Sequence, residues 1–145
     1  MLAFNHLGNL GRLGNQMFEY AALRGIAAAH GYDWCIPPYN AQSIENYSLH
    51  YCFKMEDVDE NHLGMLGTGA FHQERYFHYD NHLVDSCPDN VSLHGFFQSE
   101  KYFKNVEDIV RKEYTFHDEH LEPCQAIMDE YKDQDPIMLH VRRGD

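Results

Sequence analysis

Two adjacent arginines near the end of the chain are of the residue type best suited to bind phosphate. Residues 140–145 read His140-Val141-Arg142-Arg143-Gly144-Asp145. A guanidinium group is planar, keeps its charge and can hold a phosphate through two parallel hydrogen bonds. Neighbouring strand residues point to opposite faces, so one arginine can face a ligand while the other braces the loop or pairs with Asp145. Pattern alone favours the simpler interpretation of an exposed basic pair at a strand end.

A glycine-rich loop near the start of the chain is the second candidate. Gly8, Gly11 and Gly14 recur every third residue, and glycine lets the backbone approach a ligand closely. A helix that begins after this loop would point free N–H groups and its positive dipole end at an anion, and Arg12 adds a full charge. Asn15 and Gln16 add neutral hydrogen-bonding groups. The loop is neither a Walker A motif nor G-x-G-x-x-G, so a tight strand-to-helix turn with an N-cap explains it equally well.

Two other patterns are weaker. His78 and His82 are four residues apart and His117 and His120 are three apart, spacings that could place either pair on one helix face for a metal. No third ligand is placed by the sequence, and the segment around Asn81 does not resemble a helix, so no metal site is predicted. Residues 143–145 also match the tripeptide of integrin ligands, which we disfavour because the chain shows no export signal.

Composition limits the class of protein. The 145 residues carry a net charge of −12, which argues against a nucleic-acid partner. Hydrophobic residues make up 43%, enough for a packed core in one ordinary domain. The four cysteines contain no C-x-x-C pair and are expected to be reduced thiols. No apolar run is long enough to span a membrane, so we expect a cytoplasmic protein, with peripheral membrane association possible.

The elements that must position these residues follow a strand, loop, helix, strand order. We predict strands over residues 1–7 and 32–36 and a helix over 16–30, capped by Asn15 and ended by Gly31. Later elements are a short helix over 55–59, an edge strand over 71–79, a strand over 91–98, a turn over 100–103 capped by Ser99, helices over 106–113 and 118–132, and a strand over 137–142. This order predicts an α/β fold with a parallel sheet.

Three segments, in order, resemble glycosyltransferase family 11, the α-1,2-fucosyltransferases. Residues 11–21 read GRLGNQMFEYA and resemble the opening motif of the family, and residues 95–103 read GFFQSEKYF and resemble a stretch between its two main motifs. Residues 140–145 resemble its donor-binding motif, which α-1,6- and protein O-fucosyltransferases share. The resemblance is weakest over residues 39–90.

The resemblance implies a fold and a set of roles. It implies a GT-B enzyme with two Rossmann-like domains that transfers fucose from GDP-fucose to a galactoside hydroxyl with inversion and without an essential metal. Arg142 would bind the β-phosphate with support from Arg143, while His140 and Asp145 would lie beside the nucleotide. Arg12, Gly14 and Asn15 would line the cleft from the opposite domain, with Arg12, Asn15 and Arg142 as the catalytic candidates.

Length is the main departure from the family. Residues 1–135 would form the acceptor-side domain and residues 136–145 the first strand of the donor domain. We therefore expect the chain to be a fragment that is inactive alone. Two alternatives stay open: a non-catalytic glycan- or nucleotide-binding domain, and a protein O-fucosyltransferase-like enzyme. The acceptor, the general base and the oligomeric state are not predicted.

Overall fold

Four parallel strands form the centre of the protein. The computed structural model describes residues 1–40, 46–67, 69–141 and 143. The strands are β1 (Leu2–Ala3), β2 (Trp34–Cys35), β3 (Phe71–Gln73) and β4 (Val91–His94). They lie in the order β2-β1-β4-β3, and each neighbouring pair is parallel. The predicted α/β class with a parallel sheet is confirmed.

The two central strands are buried on both faces. Leu2, Ala3, Ser92 and Leu93 are fully inaccessible to solvent, as expected for parallel strands covered on both sides. β3 lies at the edge, and its first residue, Phe71, is 49% exposed. The ordered strands are shorter than the predicted ones, so several residues assigned to strands belong to the loops that follow them.

The long helix α1 (Leu13–His30) covers the sheet. Its buried face includes Tyr20, Leu23 and Ile26. The helix ends as predicted at Gly31, where φ is 66° and the amide bonds back to the last turn. The predicted N-cap is wrong: the extended residue before the helix is Arg12, which makes no side-chain capping bond. Asn15 lies in the first turn, where its side chain bonds to Gln98 instead.

Shorter elements surround this core. They are α2 (Leu49–Cys52), α3 (Asn81–Asp85), α4 (Glu107–Glu113), α5 (Asp118–Glu130) and three 3-10 turns, Glu60–His62, Glu100–Tyr102 and Lys104–Val106. The structure confirms the helices predicted over 106–113 and 118–132 and the Ser99 cap, whose side chain accepts from the Lys101 amide. No helix in the described part of the chain is long and apolar enough to cross a bilayer. The four cysteines are free thiols.

Two local predictions were wrong because tertiary contacts outweigh pattern. Residues 55–59 do not form a helix, since Met55 adopts a φ of 46° and its amide bonds to the Glu113 carbonyl oxygen. The segment around Asn81, expected not to be helical, forms α3. The Asp80 side chain accepts hydrogen bonds from the amides of His82 and Leu83 and so caps this helix.

The apolar run after α5 does not form the predicted strand. Residues 137–141 carry no strand pairing, and Ile137, Met138 and Leu139 are 96%, 88% and 83% exposed. Hydrophobic residues favour a strand only where a neighbouring strand accepts them, and the described sheet ends at β2 and β3. Arg142 lies outside the described residues. The domain boundary at residues 135–136 stays a prediction.

Candidate functional site

The strand order creates a topological switch point between β1 and β4. The chain passes from β1 to β2 on one side, while β4 is reached from β3 on the other side. In open α/β sheets, ligands bind outside the carboxyl ends of the strands at such a point. The loop after β1, residues 4–12, and the loop after β4, residues 95–99, flank this position. We call this region the switch-point cleft.

The loop after β1 is the predicted glycine-rich loop. Gly8 and Gly11 have φ values of 90° and 74°, a conformation that favours glycine. A Cβ at Gly11 would also collide with the Asn15 side chain. Gly14 is different, because nothing lies within 4 Å of a Cβ built there. The first turn of α1 is therefore open beside the exposed Arg12.

A side-chain hydrogen bond joins the loop after β4 to the first turn of α1. Gln98 Nε2 donates to Asn15 Oδ1 at 2.8 Å. The loop that carries Gln98 is held by Glu74, whose Oε2 accepts from the amides of Phe96 and Phe97 at 2.9 Å each. Phe97 adopts a φ of 49° in this loop. Glu74 therefore fixes a strained backbone that delivers Gln98 to the start of α1.

Gln16, predicted to offer a hydrogen-bonding group to a ligand, has a structural role. It is fully buried. Its Nε2 donates to the Asn46 carbonyl oxygen at 2.6 Å, and its Oε1 accepts from the Ser48 amide at 2.9 Å. Gln16 therefore attaches the segment before α2 to α1, and its side chain is not available at the cleft.

Arg12, Gly14 and Asn15 lie at the end of the glycine-rich loop and in the first turn of α1, and among the described residues neither His140 nor Arg143 is bonded to them. His140 and Arg143 are exposed, and no hydrogen bond or ion pair in the described part of the chain attaches either to the cleft. Arg142, Gly144 and Asp145 lie outside the described residues. The roles assigned to His140, Arg142, Arg143 and Asp145 stay predictions.

Sequence reasoning missed three rings at the cleft. His6 follows β1, His94 ends β4, and Phe71 begins β3. The His6 and His94 ring centroids are 5.4 Å apart, and the Phe71 centroid lies 5.6 Å from His6 and 5.9 Å from His94. The signal was weak, since His6 lies near the carboxyl end of the strand predicted over residues 1–7 but His94 lies in the middle of the one predicted over 91–98. Predicting those strands several residues too long hid it.

Comparison with known proteins identifies the family. The model of glycosyl transferase family 11 matches residues 3–145, which include the glycine-rich loop, the loop after β4 and the terminal motif. The chain belongs to glycosyl transferase family 11. This confirms the resemblance predicted from the three segments.

A curated relative of this family 11 chain is galactoside alpha-(1,2)-fucosyltransferase 2 of Rattus norvegicus. The two are 30% identical over 149 residues, which cover 96% of the present chain and 39% of the relative. The family 11 chain thus spans well under half the length of this relative. No solved structure matches the chain.

A groove of about 570 Å³ begins at Gly14 and runs along α1. Its floor is largely apolar and its rim is charged. The floor residues are Met17, Phe18, Phe103, Val110 and Tyr114, and the rim residues are Glu100, Lys104, Glu107 and Arg111. The groove therefore extends from the first turn of α1, which lies beside the switch-point cleft, to the surface between α1 and α4.

The two predicted histidine pairs are not arranged for metal binding. A ring nitrogen of His117 lies 3.0 Å from the His50 carbonyl oxygen, and one of His120 lies 2.9 Å from that of Tyr51. His78 stacks on Tyr76 with centroids 5.1 Å apart. Among the described residues of the family 11 chain, no group of three or more His, Cys, Asp or Glu side chains is placed to hold a metal ion.

Proposed function

We propose that the protein is a galactoside α-1,2-fucosyltransferase. It transfers L-fucose from GDP-fucose to a galactoside hydroxyl with inversion, on a GT-B fold of two Rossmann-like domains. The described chain contributes the acceptor-side domain. Family 11 membership supports the proposal, as does the relative from Rattus norvegicus named for this reaction. Within the structure, the observation that supports the proposal best is the open first turn of α1 at Gly14 beside the exposed Arg12, next to the switch-point cleft.

The chemistry of fucosyl transfer suits this cleft. Cleavage of the bond to fucose leaves negative charge on the GDP diphosphate, and preorganised cationic donors stabilise that charge as it develops. We assign this role to Arg142, supported by Arg143, and place His140 and Asp145 beside the nucleotide. Arg12 and the open first turn of α1 act from the opposite side of the cleft.

Positively charged side chains take the place of a metal in this proposal. Three guanidinium groups and a helix N-terminus supply the charge that a divalent cation supplies in other transferases, so no essential metal is expected. We place the enzyme in the cytoplasm, with peripheral attachment where glycans are assembled. The partners are GDP-fucose and a galactoside glycan rather than nucleic acid.

Acceptor-dependent GDP release tests the proposal. The protein is expressed with all the sequence that its gene encodes and incubated with GDP-fucose and either lactose or a folded peptide acceptor, with and without EDTA. The proposal expects release with lactose that EDTA does not abolish. Release with the peptide alone would point to a protein O-fucosyltransferase-like enzyme, and binding without release to a non-catalytic domain. The 145-residue chain alone is expected to give no turnover.

Substitutions at the arginines test their roles. Removal of one preorganised cationic donor costs about 10²–10³-fold in rate, so Arg142→Ala should lose at least about a hundredfold of kcat. Arg142→Lys should remain impaired because the bidentate fork is lost. Lys132→Ala, which removes an exposed charge after α5, is the control and should retain wild-type rates. An active Arg142→Ala enzyme would contradict the assignment.

A further inference from the structure

We propose that His6, Phe71 and His94 form a subsite for a pyranose ring of the acceptor, an inference that rests on the proposed function. The three rings come from three neighbouring segments of the sheet. Phe71 is paired with Ser92, and alternate strand residues share a face, so Phe71 and His94 lie on the same face. His6 joins them from the loop after β1.

The cluster is more exposed than the central strand beside it. Phe71 is 49% exposed, whereas the adjacent Ser92 and Leu93 are completely buried. Both histidines are half-buried. The cluster therefore presents an aromatic surface to solvent beside the carboxyl ends of β1 and β4, which is where open α/β sheets bind ligands.

The ring nitrogens of His6 and His94 remain available to a ligand. Four other histidines place a ring nitrogen 2.7–3.0 Å from a backbone carbonyl oxygen: His30, His72, His117 and His120. No such bond within the described residues involves the side chain of His6 or His94. A neutral imidazole offers one donor and one acceptor, so the pair supplies both kinds of group beside an apolar ring.

This combination favours a neutral sugar over an anion or a metal. One face of a pyranose carries C–H groups that can pack on an aromatic ring. The sugar hydroxyls need both hydrogen-bond donors and acceptors, and small-molecule sites supply these through a few polar groups in a largely apolar surface. Glu74 lies next to the cluster, because its amide donates to the His94 carbonyl oxygen at 2.9 Å. Its carboxylate accepts from the Phe96 and Phe97 amides in the loop after β4, and the cluster itself offers no guanidinium or ammonium group to a phosphate. Within the described residues no third ligand completes a metal site.

The position also fits a division of the cleft. His6 and Arg12 flank the glycine-rich loop in sequence, with residues 7–11 between them. Arg12 and the first turn of α1 take the charged donor side. The aromatic cluster takes the acceptor side, next to the loop that Glu74 holds in place.

Nuclear magnetic resonance of the histidine side chains tests the subsite directly. The 145-residue chain is titrated with methyl β-D-galactopyranoside, and the imidazole C–H resonances are followed. The His6 and His94 signals, identified by their loss in His6→Gln and His94→Gln, should shift with a common saturation curve. The His72 signal is the control and should not move, because His72 lies on the opposite face of β3 from Phe71 and has a ring nitrogen 2.7 Å from the Leu83 carbonyl oxygen. Unchanged His6 and His94 signals at saturating sugar would overturn the subsite.

Kinetics separate this inference from the proposed function. Phe71→Leu removes the aromatic surface and should weaken sugar binding about tenfold, the loss expected for one ring contact. In an active enzyme it should raise the KM for lactose by a similar factor and leave the KM for GDP-fucose unchanged. An active enzyme with unaltered lactose KM would refute the subsite alone. Galactoside binding by a wild-type protein that never transfers fucose would refute the function and leave the subsite standing.

Discussion

Glu19 makes the stability of this protein depend on pH in a direction opposite to that of a salt-bridged carboxylate. It lies on the buried face of α1 and is fully inaccessible to solvent. Neither of its carboxylate oxygens has a hydrogen-bond partner among the described residues. Burial without a partner disfavours the charged form and raises the pKa of Glu19 to about 9.

The magnitude follows from proton linkage. Between pH 4.5, the ordinary pKa, and about pH 9 the folded state keeps a proton that the unfolded state has released. The free energy of unfolding therefore falls as pH rises, by about 1.4 kcal/mol per pH unit. At about pH 7, two and a half units above the ordinary pKa, the accumulated loss is roughly 3 kcal/mol relative to a side chain that never ionises.

The substitution Glu19→Gln isolates this effect, because glutamine has nearly the same shape and stays neutral at every pH. The variant should be about 3 kcal/mol more stable than the wild type at about pH 7, and the two should converge near pH 4.5. Urea unfolding is followed through Trp34, the single tryptophan, which is 9% exposed. Glu122→Gln, an exposed change on α5, is the control. Parallel pH profiles for wild type and Glu19→Gln would refute the reasoning.

Three further experiments test contacts of α1 and of the loop after β4. Gly25→Ala should lower the free energy of unfolding in urea by about 3 kcal/mol, because the alanine Cβ would lie 2.6 Å from Phe103 Cα. Equal stability of the variant and the wild type would contradict this close approach of the two backbones. Glu74→Ala should lower the free energy of unfolding by about 2–3 kcal/mol, because two amide hydrogen bonds are lost. Glu74→Gln should lower it by less, and a larger loss for Glu74→Gln than for Glu74→Ala would count against the role of the carboxylate. A double-mutant cycle on Asn15 and Gln98 should give a coupling of about 0.5–1 kcal/mol, whereas zero coupling would exclude their bond in solution.

The parts of the fold that were predictable carry their own local signals. The helix α1 has strong helix formers, a buried stripe and a terminal Gly31 in the left-handed conformation. The alternation of strand and helix was enough to predict a parallel α/β sheet. The helix α3 lacked such a signal, since it is five residues long and depends on the Asp80 cap. Residues 137–141 carried a strand signal without a partner strand among the described residues.

The candidate site was predictable in part for a related reason. Arg12, Gly14 and Asn15 are neighbours in sequence, so a loop before a helix was bound to bring them together. The cluster of His6, Phe71 and His94 depends on the strand order and on where each strand ends. Neither can be read from one sequence to within a residue, and the pairing of Phe71 with Ser92 comes only from the assembled sheet.

The most direct test of the central claim is the product formed from GDP-fucose and lactose by the protein with all the sequence that its gene encodes. The account predicts one fucose, joined through an α bond to O2 of the galactose, as read from the NMR spectrum of the purified trisaccharide. It also predicts that Arg12→Ala lowers the rate of its formation at least about tenfold through lost electrostatic stabilisation at the cleft, while Lys132→Ala does not. Fucose joined at another position, or full activity without Arg12, would contradict the account.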